Sequence, residues 1–133
     1  MIVVDASVLI AHLDGNDALH ERATEALLGA AEQPLGCSPI TLAEVLVGPA
    51  RAGRDARSAL TDLGVAEIPL GDDAAGRLAE LRAGTALKMP DCCVLLAAED
   101  GHAEAVLTFD DRLAQAADRQ QLRVAGSSPA EGS

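Results

Sequence analysis

Four acidic residues occupy positions from which a carboxylate could do chemistry. Asp5 closes a short β-branched run at residues 2–4, and Asp110 closes a similar apolar run that ends at residue 109. A short apolar run followed by a polar residue and a helical pattern indicates a buried strand feeding a helix. In open α/β sheets, ligands bind just outside the carboxyl ends of the strands. We therefore expect Asp5 and Asp110 to lie at one edge of the sheet.

The other two acids fall in helical patterns. Ser38 is a capping residue and Pro39 suits the first helical position, so the sequence predicts a helix that starts near residue 39. Glu44 lies in this apolar helix. That helix is apolar on nearly all sides, so we expect it to be buried together with its carboxylate. Asp91 is an acidic first residue of a later apolar helix that ends at Gly101. All four acids are expected to share one small volume.

Each acid taken alone also has a structural explanation. Asp5 and Asp110 could be helix N-caps, Asp91 could interact with a helix dipole, and Glu44 could reach a surface arginine. Together the four acids require a further explanation, because two unit charges about 4 Å apart repel by about 4 kcal/mol at an effective dielectric constant near 20. Oxygen ligands suit Mg²⁺ or Mn²⁺, and the three scattered histidines do not give zinc-site spacing. This composition predicts metal-dependent transfer of a phosphoryl group to water.

Two hydroxyl residues lie close to the proposed ligands in sequence. Ser7 and Thr108 each stand two residues from an acid of the set. From there they could donate hydrogen bonds to a carboxylate or to a metal-bound water. The alternative is that these small hydroxyls bond to nearby backbone.

The elements that must position these residues alternate between strands and helices. This pattern predicts an α/β fold, a three-layer α/β/α domain with a mostly parallel central sheet covered by helices. A chain of 133 residues suits a single domain, which we place at residues 1–125. Residues 126–133 form a polar tail that we expect to be disordered.

Charge and composition limit the classes of function. The formal net charge of −11 argues against a protein that wraps duplex DNA by general electrostatics.

Gly48 and Pro49 predict an end or kink of the preceding helix, and an arginine-bearing helix is expected over residues 51–63. Nucleic acid is not excluded, and the candidates for contacts with its phosphates are Arg51, Arg54, Arg57 and Arg112, the first three stacked on one helical face. The alternative is a solvated helix face with ion pairs to Asp55 and Asp62, which is favoured more for Arg57 than for Arg112.

Two further features of the sequence bear on where in the cell the protein is found. No apolar run approaches the length that spans a bilayer, and Asp5 interrupts the N-terminal run where a signal peptide would continue. The three cysteines form neither a metal motif nor an even disulfide framework, so we interpret them as reduced core thiols. These features predict a cytoplasmic protein with no membrane partner.

Four short motifs together resemble a known family. D-A-S at residues 5–7, T-L-A-E at 41–44, M-P-D at 89–91 and L-T-F-D at 107–110 resemble the PIN-domain ribonucleases. Within these, the length and motif order resemble the VapC toxins of bacterial toxin–antitoxin pairs. The resemblance covers essentially the whole chain.

The resemblance implies a site, an activity and partners. Asp5, Glu44, Asp91 and Asp110 would be the catalytic ligands of Mg²⁺ or Mn²⁺, with Ser7 and Thr108 at the family's supporting polar positions. The activity would be endonucleolytic cleavage of RNA. The partners would be a second copy of the chain and a cognate antitoxin whose C-terminal segment blocks the acidic site. Asp111 directly follows Asp110, and the sequence leaves open which of the two points inward.

Three other interpretations fit the sequence less well. A haloacid-dehalogenase-like, Mg²⁺-dependent phosphatase would have a second aspartate where Ser7 stands. A receiver domain would have a lysine at the end of a late strand, whereas the only lysine is Lys88. A non-catalytic partner-binding module with the same fold predicts no metal-dependent turnover, and four intact acids argue against it.

Overall fold

The computed structural model describes residues 1–125, which contain one five-stranded sheet. The strand order is β3-β2-β1-β4-β5, and all four strand pairings are parallel. The tail predicted at residues 126–133 lies outside the described residues. The strands are β1 (Ile2–Val4), β2 (Leu35–Cys37), β3 (Val65–Glu67), β4 (Ala105–Leu107) and β5 (Arg123–Ala125).

Seven helices connect and cover these strands in the described part of the chain. Parallel strands need crossover connections, and the chain provides at least one helix between each strand and the next. The helices are α1 (Ala6–Leu13), α2 (His20–Gly29), α3 (Pro39–Arg51), α4 (Arg57–Asp62), α5 (Ala74–Thr85), α6 (Met89–Asp100) and α7 (Asp111–Arg119).

The core consists of two apolar layers on opposite faces of the sheet. Alternate residues of a strand point to opposite faces, so Val4 packs with one layer and Val3 with the other. The first layer is completed by residues of α1, α2 and α3, and the second by residues of α6 and α7. The predicted three-layer α/β/α fold with a parallel sheet is therefore confirmed.

Two expectations about the middle of the chain were wrong. Pro49 does not end α3, which continues to Arg51, because a proline in the last turn removes only one late backbone hydrogen bond. The next helix is short and begins at Arg57, where Asp55 accepts a hydrogen bond of 2.9 Å from the backbone N–H of Arg57. Arg51 and Arg57 thus belong to different helices with Arg54 between them, so the three arginines do not share one helical face.

Helix α3 is also less buried than its composition suggested. Thr41, Leu42 and Val45 form its buried side, whereas Ile40 and Val47 are 39% and 44% exposed. The reason is that α3 packs against α1 and α6 and leaves its remaining face uncovered in this chain.

No helix within residues 1–125 combines the length and the apolar character needed to cross a membrane.

Candidate active site

Asp5 is a buried carboxylate at the carboxyl end of the central strand β1. Its exposed fraction is only 4%, and both of its carboxylate oxygens accept hydrogen bonds. Oδ1 accepts from the Ser7 hydroxyl at 2.7 Å and from the Val8 backbone N–H at 3.2 Å, which makes Asp5 the N-cap of α1. Oδ2 accepts from the buried Thr108 hydroxyl. These bonds fix the orientation of the carboxylate.

Burial raises the pKa of Asp5 above its ordinary value, because removal from water disfavours the charged form. The hydrogen bonds from Thr108, Ser7 and Val8 act in the opposite direction, and the nearby charge of Asp110 raises the pKa further. The site therefore combines a costly buried charge with donors that hold it in place.

Thr108 joins Asp5 to the other strand-end acid. Its hydroxyl donates to Asp5 and accepts a hydrogen bond of 3.0 Å from the backbone N–H of Asp110. The parallel pairing of β1 and β4 sets Val4 opposite Leu107, which brings the residues after the two strands side by side. Asp110 is exposed and caps α7 by accepting from two backbone N–H groups, those of Arg112 at 2.9 Å and Leu113 at 3.1 Å.

Asp91 lies half-buried in the first turn of α6 and interacts with all three other acids. Its pKa is raised first by burial and then by the charges of Asp110, Asp5 and Glu44, while Lys88 lowers it. Helix α6 begins at Met89, so Asp91 is its third residue rather than its first. The structure thus brings together the four acids that the sequence singled out.

Glu44 corrects one detail of the prediction, because it lies on the exposed side of α3 and not in the core. Partial desolvation of its carboxyl group nevertheless raises its pKa, and the charge of Asp5 raises it further. Asp111, the alternative to Asp110, is exposed in the first turn of α7. It is Asp110 whose charge acts on Asp5 and Asp91.

The donor set of this site consists of carboxylate oxygens, which suits Mg²⁺ or Mn²⁺. Among residues 1–125, no three His, Cys, Asp or Glu side chains stand in an arrangement that could hold a metal ion as it is. The four acids therefore influence one another electrostatically without forming a closed coordination shell. Their role as metal ligands stays a prediction.

A groove of about 550 Å³ opens beside Glu44, between α1 and α3. Its apolar lining includes Ile10, Leu13 and Val47, and Arg54 lines it as well. Of the other predicted phosphate contacts, Arg51 is exposed at the end of α3, and Arg112 is exposed in the first turn of α7.

The sequence did not predict one side-chain contact of the turn that carries Thr108 and Asp110. The Arg22 guanidinium lies over the Phe109 ring, with its Cζ atom 4.3 Å from the ring centroid. Phe109 stands between Thr108 and Asp110, and it is the only aromatic residue of the chain. The presence of a single aromatic residue could have drawn attention to Phe109, but no feature in the sequence of α2 indicated that Arg22 would contact it.

Comparisons with known proteins identify the family to which the fold belongs. The PIN domain family profile matches residues 2–119. A toxin–antitoxin complex from Klebsiella pneumoniae is similar to the chain with a TM-score of 0.67 and 27% identity, covering 83% of this chain and 87% of that one. No curated protein sequence matches at a significant level.

Two further solved structures share the fold at lower identity. A sarcin–ricin loop cleaving toxin from Mycobacterium tuberculosis has a TM-score of 0.71 and 18% identity, with coverage of 87% of this chain and 95% of that one. FitAcB from Neisseria gonorrhoeae has a TM-score of 0.68 and 22% identity, with coverage of 93% and 96%.

Proposed function

This chain belongs to the PIN-domain family, and from that premise we propose that it is a metal-dependent endoribonuclease that acts as a VapC-type toxin. The observation that carries the proposal is the buried Asp5 carboxylate, which Thr108 and Ser7 orient and whose charge acts on the further acids Glu44 and Asp91, while Asp110 acts on Asp5 itself. A structural N-cap needs one accepted backbone bond and no neighbouring carboxylates. The accumulation of like charge at a strand end is the arrangement that a divalent cation would stabilise.

We assign Asp5, Glu44, Asp91 and Asp110 as the residues that would hold Mg²⁺ or Mn²⁺. The chemistry that such an ion would supply there is a water of lowered pKa as the nucleophile and compensation of negative charge on the leaving oxygen. The protein's own part is positional. Thr108 and Ser7 hold both oxygens of Asp5, so that the carboxylate is oriented before any ligand arrives.

The RNA backbone must approach a chain with a net charge of −11, so local cations are needed. Arg54 lines the groove next to Glu44, and Arg112 follows Asp110 closely on α7. We propose Arg51, Arg54 and Arg112 as phosphate contacts. Since the predicted common helical face does not exist, these arginines would act from separate places around the site.

An antitoxin and a second copy of the chain are the proposed protein partners. The similar structures include a toxin–antitoxin complex and FitAB bound to a DNA fragment. The apolar groove beside Glu44 offers a segment of an antitoxin a place from which to cover the acids. A homodimer would have twice the 13.6 kDa chain mass in light scattering.

We also propose a cytoplasmic location, where RNA substrates and a reducing environment occur together. Support comes from Cys37, Cys92 and Cys93, which are buried free thiols. Burial raises the pKa of the Cys37 thiol to about 11, which keeps it unreactive.

The test is cleavage of total cellular RNA by the purified protein in Mg²⁺ or Mn²⁺, compared with the same reaction in EDTA. Asp91→Asn is expected to abolish cleavage, whereas Asp118→Asn, the same change at an exposed position on α7, should leave it intact. Discrete fragments that require both metal and Asp91 support the nuclease. No cleavage by folded protein with metal present would favour a partner-binding module, and release of phosphate from small monoesters would favour a phosphatase.

A further inference from the structure

We infer that Lys88 binds a phosphate of the RNA substrate at the rim of the site that the four acids form. The inference rests on the proposed function and adds a substrate contact to it. Lys88 stands directly before α6, three residues ahead of Asp91, and its side chain is exposed. It is the only lysine among the ten Lys and Arg residues of the chain.

Lys88 occupies a helix N-cap position, which lysine is chemically unsuited to fill. The start of a helix has free backbone N–H groups and a partial positive charge, so an acceptor or an acid stabilises it. The other helices that carry or adjoin the four acids have such a cap, since Asp5, Ser38 and Asp110 each accept a backbone hydrogen bond. Lysine has only donors, and Lys88 makes no capping bond. A residue that disfavours its own helix start indicates a role other than stability.

The backbone on both sides of Lys88 is held by hydrogen bonds. The buried Leu87 donates its N–H to the Thr85 hydroxyl at 3.2 Å, and its carbonyl accepts from the Arg82 guanidinium at 2.7 Å. The Lys88 carbonyl accepts a bond of 3.0 Å from the backbone N–H of Asp91. The base of the Lys88 side chain is therefore fixed relative to Asp91, while the flexible stem lets the ammonium group move to meet a ligand.

The Lys88 ammonium is close enough to the acids to act on them and has no partner of its own. Its charge lowers the pKa of Asp91, although less strongly than the charges of the three other acids raise it. Within residues 1–125, the Lys88 side chain forms no ion pair with any acid and donates no hydrogen bond. It therefore lies at the rim of the site with its donors available.

An ammonium group at this rim suits a phosphate that neighbours the scissile one. RNA that approaches four carboxylates is repelled, and a cation beside them offsets that repulsion. Because Lys88 stands outside the set of acids, its loss should weaken binding of RNA more than turnover. A purely structural alternative is that Lys88 only reduces the repulsion among the acids of this chain, and the experiment separates the two.

The experiment compares Lys88→Ser and Lys88→Arg with Arg119→Gln, which removes one charge at the far end of α7. Cleavage of total cellular RNA gives KM and kcat, and filter binding of the same end-labelled RNA in Ca²⁺ gives affinity against salt. Lys88→Ser should raise KM by about tenfold, change kcat little and reduce the salt slope of binding by about one. Lys88→Arg keeps the charge and should retain the salt slope. Arg119→Gln should match the wild type.

Thermal unfolding in Mn²⁺ adds a measurement in which a structural role predicts the opposite sign. The backbone has nearly the same conformation at Ser38 and Lys88, with φ −65° at both and ψ 151° and 154°. A serine at residue 88 can therefore cap α6 as Ser38 caps α3. Lys88→Ser should raise the thermal midpoint while it weakens RNA binding, whereas loss of a stabilising charge would lower the midpoint.

The outcomes separate this inference from the proposed function. If the wild type cleaves RNA and Lys88→Ser has the KM and salt slope of Arg119→Gln, the inference is overturned while the nuclease stands. The inference is equally overturned if Lys88→Ser lowers kcat and the thermal midpoint together and leaves the salt slope unchanged. If the wild type binds RNA with a salt slope that depends on Lys88 but does not cleave it, the nuclease is wrong and the phosphate contact holds. Neither binding nor cleavage by the wild type overturns both.

Discussion

The Thr108 hydroxyl donates a hydrogen bond to the Asp5 carboxylate across 103 residues of sequence. The bond joins the ends of the adjacent strands β1 and β4, and Asp110 donates its backbone N–H to the same hydroxyl oxygen. One buried side chain therefore positions two of the acids of the proposed metal site.

Thr108→Val should weaken metal binding by about 10- to 100-fold, the usual cost of losing a residue that orients a ligand. It should also raise the pKa of Asp5 further, because the lost bond favours the ionised form. The pH of half-maximal cleavage should then move upward. Cleavage titrations with Mn²⁺ at several pH values measure both effects.

Two variants control for a general loss of structure at this position. Thr108→Ser keeps the hydroxyl and should retain metal affinity and the pH profile. Ser7→Ala should have a smaller effect, because Ser7 is exposed and water can replace its hydroxyl. Wild-type metal dependence in Thr108→Val would contradict the proposed role of Thr108.

Asp110→Asn tests which aspartate of the pair at residues 110 and 111 belongs to the site. Asparagine is as good an N-cap as aspartate, so α7 should remain stable while the charge is lost. Cleavage should fall by at least tenfold, and the pKa of Asp91 should decrease because Asp110 is the largest charge acting on it. Asp111→Asn is the matched control and should behave as the wild type. The reverse result would place the fourth ligand at Asp111.

The sequence predicted the fold well because the buried parallel strands are short, apolar and closed by polar residues. Ile2–Val4 is wholly buried and is followed at once by the capping Asp5. The boundary between α3 and α4 was not predictable in the same way. Whether Pro49 ends a helix depends on how many turns follow it, and that is decided by packing and by the turn that Asp55 forms before Arg57.

For the site, the sequence indicated candidate residues but not the contacts between them. The four acids stand next to recognisable strand ends and helix starts, whereas the bond from Thr108 to Asp5 requires the strand order β1-β4, which is a long-range property. The exposure of Glu44 also depended on which side of α3 the neighbouring helices cover. Arg22 and Phe109 meet only because α2 packs near the end of β4.

Metal binding should stabilise the folded protein through Asp91. At about a hundredfold excess over Kd, a ligand specific to the folded state adds about 2.7 kcal/mol, which corresponds to a rise of several degrees in the thermal midpoint. Asp91→Asn should lose this rise in Mn²⁺, and Asp118→Asn should keep it. In EDTA, Asp91→Asn should be at least as stable as the wild type, because the raised pKa of Asp91 means that its surroundings disfavour its charge. Equal Mn²⁺ shifts in all three proteins would exclude Asp91 as a ligand.

Without metal, the stability of the protein should fall as the pH rises from about 4. The folded protein keeps protons on Asp5, Glu44 and Asp91 at pH values where the unfolded chain, with ordinary pKa values of 3.8 for aspartate and 4.5 for glutamate, has lost them. Unfolding therefore releases protons in this range, and each increase in pH favours the unfolded state. The loss should be complete above the raised folded pKa values.

A histidine opposes this trend at higher pH and must be separated from it. Burial lowers the pKa of His12 from its ordinary 6.5, so the unfolded chain binds that proton more tightly and stability rises with pH around this value. Urea unfolding in EDTA between about pH 4.5 and 8 should be measured for the wild type and for Asp91→Asn, since His12 contributes equally to both. The free energy of unfolding should decline less steeply in the variant, which has one fewer carboxylate to ionise and weaker repulsion among the rest. If the free energies of unfolding of the two proteins changed in parallel with pH, the acids would not interact electrostatically. Excess Mn²⁺ should flatten the wild-type curve, because the cation offsets the repulsion between the carboxylates.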